Sequence, residues 1–173
     1  IDENTIMELS KDINRLETIT ERFSKIGSIP KLENENVIEV LNQTLEYLKV
    51  RISKNIEVEL KSESANLLAK LNPSLFSWVL ENLIKNAVDA MKGDGKITVT
   101  VTDQSQFVYI DIADTGTGIP RSKHKTIFEP GYTTKQRGWG LGLSLVKRII
   151  ENYHSGKIFV KQSDAMGTTF RIV

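Results

Sequence analysis

Two asparagines one helical turn apart are the first side chains in this sequence whose types and spacing suggest chemistry. Asn82 and Asn86 lie in the segment ENLIKNAVDAM, and at about 100° per residue they share one narrow sector of a helix with Asp89. The rest of that helix is largely apolar. Because a buried amide costs free energy unless it is hydrogen-bonded, the pair needs a partner. That partner is either a bound group or a neighbouring loop that the amides cap.

A carboxylate at the end of a predicted strand is the second candidate. Asp114 follows the run IDIA, and Gly116 and Gly118 come directly after it in DTGTGIP. A carboxylate accepts a hydrogen bond from an exocyclic amine, and glycine leaves the backbone bare enough to approach a flat ring. An adenine pocket needs both features. The alternative is a plain turn.

A glycine-rich run before a helix is the third candidate. Gly138, Gly140 and Gly142 lie in GWGLGL, where exposed N–H groups and the positive end of the helix dipole suit phosphate oxygens. The spacing is not the G-x-G-x-x-G of a dinucleotide fold, and the chain contains no Walker lysine motif. Both of the common nucleotide-binding folds are therefore disfavoured.

Helices and strands alternate along the part of the chain that must position these groups. Apolar periodicity predicts helices over residues 37–50, 73–91 and 141–153, and strands over 55–61, 96–101, 107–112, 157–161 and 168–172. The stretch from 113 to 138 is rich in glycine and too long for an ordinary connection, which indicates a functional lid.

An additional helix is predicted at the start of the chain. Apolar residues recur there at alternating steps of three and four, as in a helix packed in a bundle or coiled coil, and Gly27 and Pro30 end the pattern. The positions that carry this pattern are Ile6, Leu9, Ile13, Leu16, Thr20 and Phe23. A helix docked on its own domain is the alternative.

Charge and composition exclude several classes of function. Lys and Arg total 23 against 22 for Asp and Glu, so the net charge of +1 gives no electrostatic case for nucleic acid or a membrane surface as partner. The absence of cysteine excludes disulfides and thiolate metal sites. No apolar run approaches the roughly 20 residues that span a bilayer. The absence of cysteine also fits a reducing compartment, so we expect a cytoplasmic location. Because the sequence begins at Ile1 rather than a methionine, we expect a fragment of a longer protein.

Four segments in this order resemble the motifs of one family. ENLIKNAVDAM, DTGTGIP, IFEPGYTTK and GWGLGLSLVKRII are similar to the N, first-glycine, F and second-glycine boxes of sensor histidine kinases, and GTTF is similar to their terminal G-T-x-F element. The resemblance implies the Bergerat fold, an α+β two-layer sandwich with helices on one face of a mixed sheet. It divides the chain into the second helix of a dimerisation hairpin (1–27), a linker (28–36) and a catalytic ATP-binding domain (37–173).

The resemblance also implies a role for individual residues. Asn86 would ligate Mg²⁺ at the ATP phosphates, Asn82 would support it, and Lys135 would approach the terminal phosphate. Asp114 would accept from the adenine amine, with Thr169 helping to hold a water molecule. The other residues of the implied nucleotide site are Asp89, Gly116, Gly118, Ile119, Thr134, Gly138, Gly140, Leu141, Gly142 and Leu143, and Phe128 would anchor the lid by packing.

The sequence departs from the family pattern in ways that bear on the reaction. Many members follow the second asparagine with a lysine and an aromatic residue, whereas this chain has Asp89 and Ala90. The pattern resembles another subset of the kinases and the related gyrase-type ATPases, but those ATPases have a glutamate base where this chain has Asn82. An amide cannot abstract a proton at neutral pH, so we predict slow hydrolysis and transfer of the γ-phosphoryl group to a histidine.

That acceptor histidine is expected outside this chain. His124 and His154 lack the flanking residues of a phosphoacceptor box, and we interpret both as solvent-exposed loop residues. The implied partners are therefore ATP, a histidine-bearing dimerisation helix, a response regulator receiver domain and, in the full-length protein, a second copy. Two alternatives remain open, a non-catalytic ATP-gated binding module and a gyrase-type ATPase.

Overall fold

A five-stranded mixed sheet forms the centre of the fold in the computed structural model, which describes residues 30–134 and 140–173. Its order is β2-β4-β5-β7-β6, with β2 and β4 parallel and the other neighbours antiparallel. The strands are β2 (Ile56–Ser62), β4 (Gly95–Asp103), β5 (Val108–Asp114), β6 (Ile158–Asp164) and β7 (Gly167–Ile172). Each lies where alternating apolar residues predict a strand. The predicted helix over 1–27 lies outside the described residues.

Three helices pack on this sheet: α1 (Val37–Lys49), α2 (Pro73–Met91) and α3 (Gly142–Arg148). A π-helical turn, Ile149–Tyr153, continues α3. The side chain of Asn72 accepts a hydrogen bond from the N–H of Leu75, so it caps α2 in the way the sequence favours. The bounds of α2 are those that periodicity predicts, whereas the predicted helix 141–153 is α-helical only in its first part.

Strand alternation shows which face of the sheet the helices cover. In β5, Ile110, Ile112 and Asp114 are buried, whereas Asp111 and Ala113 between them are partly exposed. The first set faces the apolar sides of the helices and the second set faces away from them. This arrangement confirms the predicted α+β two-layer sandwich. The largest side chains that are fully buried in its core are Leu41, Leu80, Leu83, Ile84, Ile97, Ile112, Ile149 and Ile150.

A second, two-stranded sheet is absent from the sequence-based prediction. β1 (Glu33–Asn36) pairs antiparallel with β3 (Leu68–Leu71). β1 occupies the end of the predicted linker 28–36, and the compact unit that contains both sheets begins at Leu32. The sequence ENEN has no apolar alternation, so backbone pairing with β3 rather than side-chain burial defines this strand.

The uncovered face of the large sheet carries an ion-paired cluster around Asp111. Its two oxygens accept hydrogen bonds from Arg171 at 2.7 and 2.8 Å, and Lys161 Nζ lies 2.7 Å from Oδ2. Burial acts to raise the pKa of Asp111, but these bonds outweigh it and hold the pKa below its ordinary value. The cluster joins β5, β6 and β7 on the side away from the helices.

No helix in the described part of the chain has the length and hydrophobicity to cross a membrane.

Candidate functional site

Asp114 ends β5 as a buried carboxylate on the helix-covered face of the sheet, with 9% of its surface exposed. Its Oδ1 accepts hydrogen bonds from the backbone N–H of Gly116 at 2.8 Å and of Thr168 at 3.3 Å. Burial raises the pKa of Asp114, and these two bonds oppose that effect. Because both bonds are made by Oδ1, Oδ2 is the oxygen available to accept from a ligand amine.

The loop after Asp114 is held between α2 and β6. Thr117 N–H donates to the carbonyl of Ala90 at 3.2 Å, near the end of α2. Ile119 N–H donates to Ser163 Oγ at 2.7 Å, in β6. The loop therefore presents its backbone beside the Asp114 carboxylate in a fixed position, as an adenine pocket requires.

Thr168, rather than Thr169, is the threonine on the Asp114 side of the sheet. Thr168 pairs with Asp114 and is 4% exposed, whereas Thr169 pairs with Ala113 and faces the opposite side. Thr168 Oγ1 lies 2.8 Å from Ser163 Oγ. The prediction that Thr169 helps to hold a water molecule beside Asp114 is therefore wrong, because neighbouring strand residues point to opposite faces. The alternation of Thr168, Phe170 and Ile172 is the signal that identifies the correct residue.

Gly118 has φ 76°, and a Cβ there would collide with the backbone carbonyl of Asp164. We expect Gly118→Ala to displace this loop, lowering the free energy of unfolding by about 2–4 kcal/mol and weakening adenine nucleotide binding at least about tenfold. Thermal unfolding and calorimetric titration with ATP measure the two effects. Gly93→Ala is the matched control, since Gly93 has φ 99° but no atom within 4 Å of the added Cβ. Equal losses in the two variants would contradict the assignment of this loop to the site.

Asn82 brings α2 close to the start of α3. Its Nδ2 donates to the carbonyl of Trp78 at 2.9 Å, and its Oδ1 lies 3.0 Å from where a Cβ on Gly142 would stand. Asn86 follows one turn later in α2 and is half-buried. The two sequence motifs therefore lie next to each other in the fold. Asp89 is exposed near the end of the same helix.

Gly131 in the F box and Gly140, shortly before α3, are in direct contact. Gly131 N–H donates to the carbonyl of Gly140 at 2.9 Å. Gly140 has φ 64°, and a Cβ there would stand 2.8 Å from the Cα of Gly131. A larger residue at Gly140 would therefore collide with the backbone at Gly131 and push it away. Among the predicted site residues, Lys135 and Gly138 lie outside the described part of the chain.

The remaining predicted residues lie around this loop. Phe128 is buried and packs edge-on against Phe170, with ring centroids 6.1 Å apart. Thr134 is exposed, whereas Leu141 and Leu143 are half-exposed at the start of α3. Half-exposed apolar side chains of this kind suit contact with a partly buried ligand.

Both histidine rings hydrogen-bond to backbone groups. His124 Nε2 lies 3.0 Å from the carbonyl of Ile119, and His154 bonds through both ring nitrogens, to Ile149 and Asn72. The interpretation of both histidines as solvent-exposed loop residues is wrong, since both are half-buried. His154 contacts the start of α2 and the π-helical turn. Local sequence gives no signal for this contact because Asn72 is 82 positions away.

Comparison with known proteins agrees with this geometry. The family described as "Histidine kinase-, DNA gyrase B-, and HSP90-like ATPase" matches residues 72–173. "Sporulation kinase E" of Bacillus subtilis (strain 168) is 31% identical over 168 residues, which cover 95% of this chain but only 23% of that protein.

Solved structures show the same likeness. The catalytic domain of histidine kinase ThkA, in a nucleotide-free form, superposes with a TM-score of 0.76 at 30% identity, covering 83% of this chain and 94% of that one. ThkA in complex with the response regulator protein TrrA gives 0.77 at 27% identity, covering 98% of this chain and 50% of that one.

Proposed function

The chain belongs to the histidine kinase-, DNA gyrase B- and HSP90-like ATPase family, and from this membership we propose that it is the catalytic ATP-binding domain of a sensor histidine kinase. It transfers the γ-phosphoryl group of Mg-ATP to a histidine supplied by another helix. Its fold is the Bergerat fold that the sequence motifs imply, as in the ThkA catalytic domain. The observation that carries the proposal is that α2 links two parts of one site: Asn82 lies against Gly142, and two turns later Ala90 contacts the loop that follows the buried Asp114.

Asp114 supports recognition of adenine. Its Oδ1 is occupied by two backbone N–H groups, which fix the carboxylate plane and leave Oδ2 to accept from the exocyclic amine. Thr168 and Ser163 form a hydroxyl pair beside it that suits a bridging water molecule. A guanine in the same position would place its 6-carbonyl, an acceptor, against this buried carboxylate, so the site favours adenine.

The donor chemistry near Asn86 fits Mg²⁺. The amide oxygen is a hard ligand, and Mg²⁺ in nucleotide sites takes few protein ligands and completes its shell with phosphate oxygens and water. The described residues contain no group of three His, Asp or Glu side chains that could hold a metal by itself. Asn86 would therefore hold the ion together with the nucleotide. The ion, when bound, neutralises phosphate charge during phosphoryl transfer.

Asn82 supports transfer rather than hydrolysis. Its side chain is engaged by Trp78 and lies against Gly142, so it sets the distance between α2 and α3. A carboxamide cannot remove a proton from water at neutral pH. The domain therefore positions the γ-phosphoryl group for an external nucleophile, since positioning is a large part of catalysis in this reaction.

We propose that the nucleophile stands on a dimerisation hairpin of which residues 1–27 form the second helix, joined by the segment that ends near β1. Both histidines of this chain are bonded to backbone groups, which leaves the acceptor to another segment. The complex of ThkA with TrrA supports a response regulator as the next carrier of the phosphoryl group. A cytoplasmic location follows for a domain that uses ATP.

Radiolabel transfer tests the proposal. The chain is mixed with γ-labelled Mg-ATP and a separate hairpin that carries the phosphoacceptor histidine, and label on the hairpin is followed with time. We expect transfer that depends on the hairpin histidine and little free phosphate without the hairpin. ATP binding with no transfer would instead support a non-catalytic ATP-gated module. Sustained phosphate release without any acceptor would support a gyrase-type ATPase and contradict the argument from Asn82.

A further inference from the structure

His154 joins the two helices that flank the proposed nucleotide site. Its Nε2 accepts a hydrogen bond from the backbone N–H of Asn72 at 3.1 Å, and its Nδ1 lies 2.9 Å from the carbonyl of Ile149. A backbone N–H only donates and a carbonyl only accepts, so these neighbours fix the roles of both ring nitrogens. The proton is on Nδ1, and Nε2 carries none. Only the neutral ring with this tautomer satisfies both contacts.

The two contacts lie at the ends of functional elements. Asn72 is the N-cap of α2, whose side chain bonds to the N–H of Leu75, and the histidine ring packs near Phe76 in the first turn of α2. Ile149 begins the π-helical turn that continues α3, and its carbonyl also accepts from the N–H of His154 at 3.1 Å. π-helical turns inside helices often mark functional sites.

The same two helices meet again at the phosphate end, where Asn82 Oδ1 approaches Gly142. In addition to the apolar core that they share, α2 contacts α3 and its π-helical extension at these two places. One is the contact inside the proposed phosphate site, and the other is the His154 ring. Because both contacts join the same two helices, loss of the second is expected to change the spacing at the first.

We propose that neutral His154 is a positioning residue for the nucleotide site, which holds the start of α2 to the end of α3, and that its protonation releases this contact and weakens nucleotide binding. The inference rests on the proposed function, since it concerns the regulation of that same site.

The surroundings of the ring favour the neutral form. Burial lowers the pKa of His154 from its ordinary value of 6.5, and the bond to the Ile149 carbonyl opposes this only in part. A second proton on Nε2 would face the N–H of Asn72, donor against donor. A group with a lowered folded-state pKa contributes stability above its unfolded pKa and loses it as the pH falls through the folded value. The contact is therefore complete at neutral pH and lost in acid.

Water can reach the ring, because His154 also lines a cleft of about 470 Å³. The titratable side chains that line that cleft besides His154 are Lys70 on β3 and Asp103 on β4. On the helical side, Glu151 is 3.9 Å from Lys147, and Arg148 lies 6.0 Å from the ring centre of Tyr153. None of these groups hydrogen-bonds to the imidazole, so the protonation of His154 is governed by its burial and its two backbone partners.

The pH dependence of nucleotide affinity tests the proposal. Binding of Mg²⁺ with a non-hydrolysable ATP analogue is measured by calorimetry from about pH 7.5 to about pH 4.5, which extends below the range in which an exposed histidine titrates because burial lowers the pKa of His154. His154→Gln keeps an oxygen that can accept from Asn72 and does not titrate, whereas His154→Phe keeps the ring shape without an acceptor. We expect the wild type to lose about fivefold more affinity in acid than His154→Gln, and His154→Phe to bind weakly at both ends of the range.

Titration of the nucleotide phosphates affects the wild type and His154→Gln equally, so the difference between their pH profiles reports on His154. Parallel pH profiles for the wild type and His154→Gln would overturn the proposal. Failure of the wild type to bind nucleotide even at neutral pH would instead overturn the proposed function. In that case the amide signal of Asn72, followed by NMR, decides the positioning role by itself. A titrating shift in the wild type that is absent in His154→Gln supports the role, and identical behaviour rejects it.

Discussion

Replacing Asp114 with asparagine is expected to weaken ATP binding at least about 100-fold while the domain stays folded. Asparagine has one acceptor oxygen, which the N–H groups of Gly116 and Thr168 already require. Its NH₂ group would then face the exocyclic amine of adenine, so two donors would oppose each other in a buried site. Calorimetric titration with ATP and with GTP measures the loss and the change in base preference.

At neutral pH the free energy of unfolding of Asp114→Asn should be equal to or higher than that of the wild type, although its ATP affinity is lower. Burial raises the pKa of Asp114, so its contribution to folding is present at acid pH and is lost as the pH rises through the folded-state value. At neutral pH the ionised carboxylate carries the cost of burial, which asparagine removes. The Asp114→Asn variant should therefore lose less stability than the wild type between about pH 4 and about pH 7, as measured by denaturant unfolding.

Asp111→Asn is the matched control on the same strand. Asp111 lies on the uncovered face and pairs with Arg171 and Lys161. Its replacement should lower the free energy of unfolding by about 1–2 kcal/mol and leave ATP affinity unchanged. Comparing Asp114→Asn with Asp111→Asn thus separates the effect on ATP affinity from the effect on the free energy of unfolding. If Asp111→Asn weakened ATP binding as much as Asp114→Asn, the assignment of the adenine end to the covered face would be wrong.

Local signals were sufficient to predict α2 from the sequence. Asn72 supplies a capping side chain, Pro73 suits the first turn, and apolar residues recur at helical spacing up to Met91. These determinants act within a few residues of one another, so they are visible without a structure. The meeting of Asn82 with Gly142 is different, because the resemblance to a family, and not local periodicity, indicated it.

The features that sequence analysis missed depend on partners far along the chain. β1 has no apolar alternation, and its pairing with Leu68–Leu71 becomes evident only when the fold brings them together. His154 bonds to a residue 82 positions away. Thr168 is an intermediate case. Its alternation with Phe170 and Ile172 could have shown that it, and not Thr169, shares the buried face with Asp114.

Replacing Asn86 with alanine is expected to remove the metal-dependent part of nucleotide binding and to lower phosphoryl transfer at least about 100-fold. The adenine end of the site, at Asp114, is untouched by this change. Titrations of ATP with Mg²⁺ and with a chelator should therefore give nearly equal affinities in Asn86→Ala, whereas the wild type binds more tightly with the metal. Label transfer to a hairpin that carries the acceptor histidine measures the loss of activity.

Two further variants distinguish metal binding from a general effect on α2. Asn86→Asp keeps a hard oxygen at the same position and should recover part of the metal dependence. Asn42→Ala removes an exposed asparagine from α1 and should change neither titration. Together with Asp114→Asn, which should weaken binding with and without metal, these variants assign separate free energies to the two ends of the nucleotide. A metal dependence that persists in Asn86→Ala would place the ion elsewhere, and the phosphate end of the site would then need another set of ligands.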